Sequence, residues 1–211
     1  LFCAFTLSAC TASAPLPRYN AERRVFVHPD GLILSLPPGW KASEAKEEGA
    51  LFQAVYPLSA AFQITLILRT QEKVPSLDEL IALEEGKPDA LRIGAPFGTL
   101  SDLTLLHAVP TTWSGREAEE VLWLADQKGV RIFIERISAV AGLTAFQLRF
   151  QLPTIAFDAS APILRQLLDG VQWRPRVRTP SDVVSAYRET GKSFTGQKRY
   201  ADSIRIYQKA L

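Results

Sequence analysis

Methionine is missing from all 211 residues, and cysteine and histidine occur only twice each. Both cysteines, Cys3 and Cys10, lie in the first ten residues, so the rest of the chain has no disulfide, thiol nucleophile or thiolate metal site. His28 precedes a Pro29-Asp30-Gly31 turn and His107 falls in a predicted strand. Neither has a partner at metal-ligand spacing, and both read as structural. No apolar run reaches the roughly 18 residues needed to cross a bilayer. Net charge is only +2 and the basic residues form no aromatic-interleaved stripe, which removes the electrostatic basis for nucleic-acid binding. The glycines stand singly at turns, so no phosphate-cradling loop is predicted. Ser114-Gly115 lacks the flanks of a nucleophile elbow. Glu117, Glu119 and Glu120 cluster, but a solvated strand face accounts for them better than paired-carboxylate catalysis. No metal or cofactor site emerges, and the sequence reads as a non-enzyme.

What is present fits a globular protein: 47% apolar and 22% charged residues. The opening, LFCAFTLSACTASAPLP, reads as the end of a secretory signal core at residues 1–9. Its charged leading part is missing, as is the initiating Met, so the chain is expected to lack its true start. Leu7-Ser8-Ala9-Cys10 resembles the bacterial lipobox. That resemblance implies that the Cys10 thiol carries a diacylglycerol and that cleavage falls just before it. The alternative is an ordinary signal cut after Ala12 or Ala14. Residues 10–23, small and proline-bearing at first, suit a flexible tether.

Residues 24–173 read as one α+β domain. Gly31 to Trp40 is a short strand stopped by Pro37-Pro38-Gly39. Leu51–Tyr56 and Phe62–Arg69 are two more strands. Ser76 and Glu79 have capping-box spacing at the start of a helix whose apolar stripe is Leu77, Leu80, Ile81 and Leu83, with Gly86 able to end it. Further strands are predicted over Leu100–Val109, Glu117–Ala125, Val130–Ala139 and Leu143–Leu152. In the last, Thr144, Phe146, Leu148, Phe150 and Leu152 alternate with Ala145, Gln147, Arg149 and Gln151, which predicts a sheet with one buried face. A helix over Ile155–Leu168 supplies the cover through Phe157, Ala161, Leu164 and Leu168, with Pro162 in its first turn. Gly170-Val171-Gln172-Trp173 adds a closing edge strand. An antiparallel sheet packed with helices is the predicted class. The early strand ending in LPPGW, the GREAEEVLWL strand, the two long strands after it, the late helix and the GVQW ending resemble the PsbP and Mog1 domains. That resemblance implies an accessory or binding module rather than an enzyme, and no family site residue can be matched here.

Residues 174–180 form an arginine- and proline-rich linker, with Thr179 as a helix cap and Pro180 at the first helical position. In residues 181–211, Tyr187, Gly191, Phe194, Ser203, Tyr207 and Ala210 stand at the spacing of a tetratricopeptide (TPR) repeat, which this segment resembles. The small residues would let two antiparallel helices approach, and the aromatics would fill the space around them. The repeat is about 34 residues long and does not stand alone, so the natural chain is expected to continue into further repeats.

The combined reading is a membrane-anchored lipoprotein of the cell envelope. It would act on the periplasmic side or at the cell surface as a non-catalytic scaffold that binds other proteins through its TPR region. A second reading makes the central domain a small-ligand or lipid-binding module, which predicts a lined cavity of several hundred Å3. A third, a hydrolase, predicts titratable groups converging in a cleft.

Overall fold

The computed structural model describes residues 17–45, 49–85, 100–174 and 179–211. Cys10, Gly86 and most of the 174–180 linker lie outside the described residues. Two antiparallel sheets form the domain. The smaller has four strands in the order β1 (Arg18–Asn20), β2 (Val25–Val27), β3 (Leu32–Ser35) and β11 (Val171–Trp173). The larger has seven strands: β4 (Lys41–Ser43), β5 (Ala50–Pro57), β6 (Gln63–Glu72), β10 (Thr144–Pro153), β9 (Val130–Ala141), β8 (Arg116–Gln127) and β7 (Leu100–Trp113), in that spatial order. The helices are α1 (Leu77–Glu85), α2 (Phe157–Asp169, after a 3-10 turn at Thr154–Ala156), α3 (Pro180–Gly196) and α4 (Tyr200–Lys209).

Tight turns set the register of the large sheet. Ser114-Gly115 and Lys128-Gly129 have positive φ at both positions, the geometry of two-residue hairpins whose twist matches the flanking strands. Strands β8 and β9 therefore extend further than the residue pattern predicts, pairing Gln127 with Val130 and Asp126 with Arg131. Strand β7 also runs past its predicted end, through Pro110 to Trp113. It is the sheet's edge strand, where a missing N–H interrupts no ladder.

The larger correction concerns β10, whose predicted single buried face is in fact two. Phe146, Leu148, Phe150 and Leu152 enter a main core with Phe26, Leu34, Trp40, Leu66, Leu164 and Leu167, covered by the small sheet and α2. On the opposite face, Ala145 joins Val74, Leu80, Leu83, Phe194 and Ile206 in a second core beneath α1, α3 and α4. Arg149, which an open sheet would present to water, is buried.

Helix α2 also differs in detail. Ala161 is exposed; Ser160 takes the inner position, its hydroxyl donating to the Ala156 carbonyl at 2.6 Å. Pro162 lies in the interior of the helix rather than its first turn, on the solvent side. Water can there replace the backbone bond that proline cannot donate.

The closing strand of the small sheet is tied at Gly31. The Arg174 N–H donates to the Gly31 carbonyl at 2.8 Å as β11 pairs with β3. Gly31 has φ +105°, and a Cβ there would overlap the Arg174 carbonyl oxygen. Gly31→Ala is expected to destabilise the domain by about 2 kcal/mol or more, through both strain and the displaced strand. Chemical denaturation would measure it; a change under about 0.5 kcal/mol would show that the closing strand is not tied there.

Candidate functional site

The helical pair α3–α4 begins at a complete capping box. Thr179 Oγ1 accepts from the Asp182 N–H at 3.2 Å, and Asp182 Oδ2 accepts from the Thr179 N–H at 3.0 Å, with Pro180 following the cap. At the seam, a Cβ on Gly191 would come within 2.8 Å of the Tyr207 ring, so glycine sets the closeness of the helices. Ser203 Oγ donates to the Gly191 carbonyl at 2.9 Å, and the Thr195 hydroxyl reaches the same carbonyl at 3.0 Å. Gly191, Ser203 and Tyr207 thus meet between the helices. Phe194 instead points into the second core, where Tyr187 also packs, and Ala210 lies half-buried just past the end of α4.

The pair is latched to the domain. Thr190 Oγ1 donates to the Lys73 carbonyl at 2.8 Å, and Lys73 Nζ lies 2.6 Å from Glu189. Lys209 Nζ donates to Glu79 Oε1 at 2.8 Å, and Glu79 is 1% exposed. The hydrogen bond to Glu79 is the main reason the Lys209 ammonium holds its proton more tightly than usual. The capping box predicted at Ser76 is therefore half made. Ser76 Oγ accepts from the Glu79 N–H at 3.3 Å, but the Glu79 carboxylate turns to Lys209. One turn along α1, Glu84 is buried 2.5 Å from Arg136 and accepts from Gln147 at 2.5 Å. Burial pushes the Glu84 carboxyl up to about 7 against the pull of Arg136.

The outward face of α4 carries Tyr200 and Ile204, with the part-exposed Tyr207, whose ring also covers Gly191, at its edge and Leu211 just beyond the helix. Spacings of four, three and four residues put them on one stripe. Tyr200 is 60% and Ile204 58% exposed, although both are large and apolar.

A second site lies on the main-core face of the large sheet. Glu119 and Glu120 were expected on a solvated strand face with Glu117; only Glu117 is exposed. Alternation turns Glu119 toward Arg136 at 3.5 Å and Glu120 toward His107, whose Nε2 is 3.0 Å from Glu120 Oε1. Pairing of β8 with β9 sets Leu122 opposite Glu135, so Glu135 shares a face with Glu120. Both carboxylates line a cleft of about 380 Å3 beneath α2, together with Trp113 and Leu164. Burial first and the Glu120 charge second push the Glu135 carboxyl up to about 7, opposed by His107. Among the described residues, no trio of His, Cys, Asp and Glu has metal-ligand geometry. His28 is structural: its Nδ1 accepts from the Asp30 N–H at 3.1 Å, and the Thr144 hydroxyl donates to Asp30. The Glu120–Glu135 pair was missed because its members are fifteen residues apart and only strand register brings them together.

No family model matches the sequence, and no curated protein does. Several solved structures are similar to this chain at low identity. LpqN of Mycobacterium tuberculosis, described as involved in cell envelope biogenesis, is 12% identical over 75% of this chain and 90% of its own, with a TM-score of 0.49. The cyanobacterial PsbP from Synechocystis sp. PCC 6803 is 11% identical over 80% of this chain and 99% of its own, TM-score 0.49. The Ran-binding protein Mog1p of Saccharomyces cerevisiae is 12% identical over 69% of this chain and 91% of its own, TM-score 0.42.

Two consequences can be measured. From the ordinary carboxylate value of 4.5 up to about 7, the unfolded chain loses the Glu135 proton while the folded protein keeps it. Stability therefore falls as pH rises through that window. Glu135→Gln should flatten part of the slope and stabilise the protein at mildly alkaline pH by on the order of 1–3 kcal/mol, seen in denaturation at several pH values. An unchanged slope would show that Glu135 titrates normally. Separately, Lys209→Ala leaves Glu79 buried with its partner gone. It should destabilise α3–α4 by about 1–3 kcal/mol, with amide exchange rising there before it rises in β9 and β10; uniform exchange would show that the latch carries no local weight.

Proposed function

We propose that this protein is a membrane-anchored lipoprotein of the cell envelope, acting as a non-catalytic scaffold that binds other proteins. Lipid on Cys10 would hold the domain at the bilayer, each buried methylene contributing about 0.8 kcal/mol. The α3–α4 pair would serve as a TPR-type docking unit. The observation that carries the reading is the stripe of Tyr200, Ile204, Tyr207 and Leu211. One side of the helical pair is used up in packing on α1 and β10, while the other presents an apolar row suited to a further helix or a partner. Among the described residues no helix is long and apolar enough to cross a membrane, so attachment through the N-terminal cysteine is the route this reading uses.

Ile204→Asp tests the docking role. Because Ile204 is exposed, the change should leave stability within about 0.5 kcal/mol of the parent. On native gels of gently solubilised membranes, the parent should migrate in a larger assembly and the variant as a lone chain. Identical migration of the two would refute the scaffold. Cys10→Ser should move the protein from the membrane to the soluble fraction; a mature N-terminus other than a lipid-modified Cys10, read by mass spectrometry, would refute the anchor.

A second reading, a small-ligand module in the central domain, is favoured by one observation: the cleft beneath α2 that holds Glu120 and Glu135.

A further inference from the structure

We infer that strand β7, the long open edge of the large sheet, pairs antiparallel with β7 of a second copy of this chain, joining the two sheets across a twofold axis. The inference concerns a different face from α4 and does not rest on the scaffold reading.

Strand β7 has 14 residues, and among the described residues only β8 pairs with it. Its outer side therefore presents backbone N–H and C=O groups that no described strand meets. Edges of this kind are usually kept short or blunted by charge. Here no Lys, Arg, Asp or Glu stands between Leu103 and Trp113. Leu103, Leu105, Leu106 and Val109 stand there instead, each 36–47% exposed. Two irregularities in the pairing with β8 and the missing N–H of Pro110 twist this edge without making it polar.

The exposed side chains point to the form of the occupant. Leu105 lies opposite Trp123 and Val109 opposite Glu120, so they project from opposite faces of the sheet. A helix or a small ligand would cover one face and leave the other wet. A strand added in the plane of the sheet covers both.

Length and charge point to β7 itself as that strand. The other edge strands, β4 of the large sheet and β1 and β11 of the small one, have three residues each. They offer no match for β7, so pairing closes at two copies instead of running on as a filament. At about 3.3 Å per residue β7 runs about 46 Å, and a strip about 12 Å deep along it buries about 1,100 Å2 over two copies, above the roughly 1,000 Å2 of a specific interface. The midpoint of β7 falls between Leu106 and His107. Full-length antiparallel pairing therefore sets Leu106 of both copies near the axis and keeps the two Asp102 carboxylates about 30 Å apart.

The test is analytical ultracentrifugation of the full chain, with a reductant present, from about 1 to about 100 μM. The mass should rise from one chain to two, with a dissociation constant in the micromolar range, as suits an interface at the small end of the specific class. Hydrogen exchange across Thr104–Val109 should slow over the same range. Leu106→Lys and, separately, Leu106→Glu should each stay a single chain at the highest concentration. Because Leu106 is exposed, both should keep the parent's circular dichroism spectrum. An equimolar mixture of the two variants should pair again, since opposite charges then meet near the axis. The inference is overturned if the parent stays a single chain throughout, which would leave the edge to a strand of another protein. It is equally overturned if either variant alone pairs as the parent does, if the mixture stays single, or if Ile204→Asp and not Leu106→Lys parts the copies.

Discussion

Strand β10 is buried on both faces, and most of the architecture follows from that. It is the middle strand of the seven-stranded sheet, pairing with β6 on one side and β9 on the other. Phe146, Leu148 and Phe150 require the small sheet and α2 on one side; Ala145 and Arg149 require cover on the other. A sheet with a single core could leave α3 and α4 as an appendage. A sheet with two cores makes them part of the domain's own packing, through Phe194 and Ile206.

That second face is not simply apolar, which is why charge pairs position its cover. Arg136 lies beneath α1 against Trp123, and Glu84 comes down on it together with Gln147. A buried charge without its partner is far costlier than the pair, so this arrangement fixes the rotation of α1 more firmly than nonspecific apolar contact could. Glu79, one turn earlier on the same helix, faces α4 and fixes the helical pair in turn. The order of dependence runs from sheet to α1 to α3–α4, and among the described residues it leaves Tyr200 and Ile204 of α4 exposed. The inner face of the pair is committed to folding, while Tyr200 and Ile204 on its outer side face solvent among the described residues.

Much of this was legible along the chain. The GLILSLPPGW strand and turn, the long antiparallel strands, the late helix and the Thr179-Pro180 helix start all rest on local signals: alternation, turn glycines and capping residues whose effect spans a few positions. Local signals misjudged what depends on neighbours. Pro110 looked like a strand end because nothing local marks β7 as an edge. Ala161 and Ser160 exchanged places because a short polar side chain can satisfy itself on the preceding turn and still be buried. Glu79 looked like half of a capping box because its partner, Lys209, is 130 residues away.

The sequence by itself determined the strand pattern, the helix caps and the small residues at Gly191 and Ser203 where two helices meet, since each depends on backbone geometry within one or two turns. Only the tertiary structure decided that β10 has two buried faces, that Glu79 and Glu84 are buried and paired with Lys209 and Arg136, and that Glu120, Glu135 and Trp113 line one cleft. Those facts depend on strand register and on which element covers which face. Burial then sets the charge state of each group, because a carboxylate removed from water responds to whatever the fold has placed beside it.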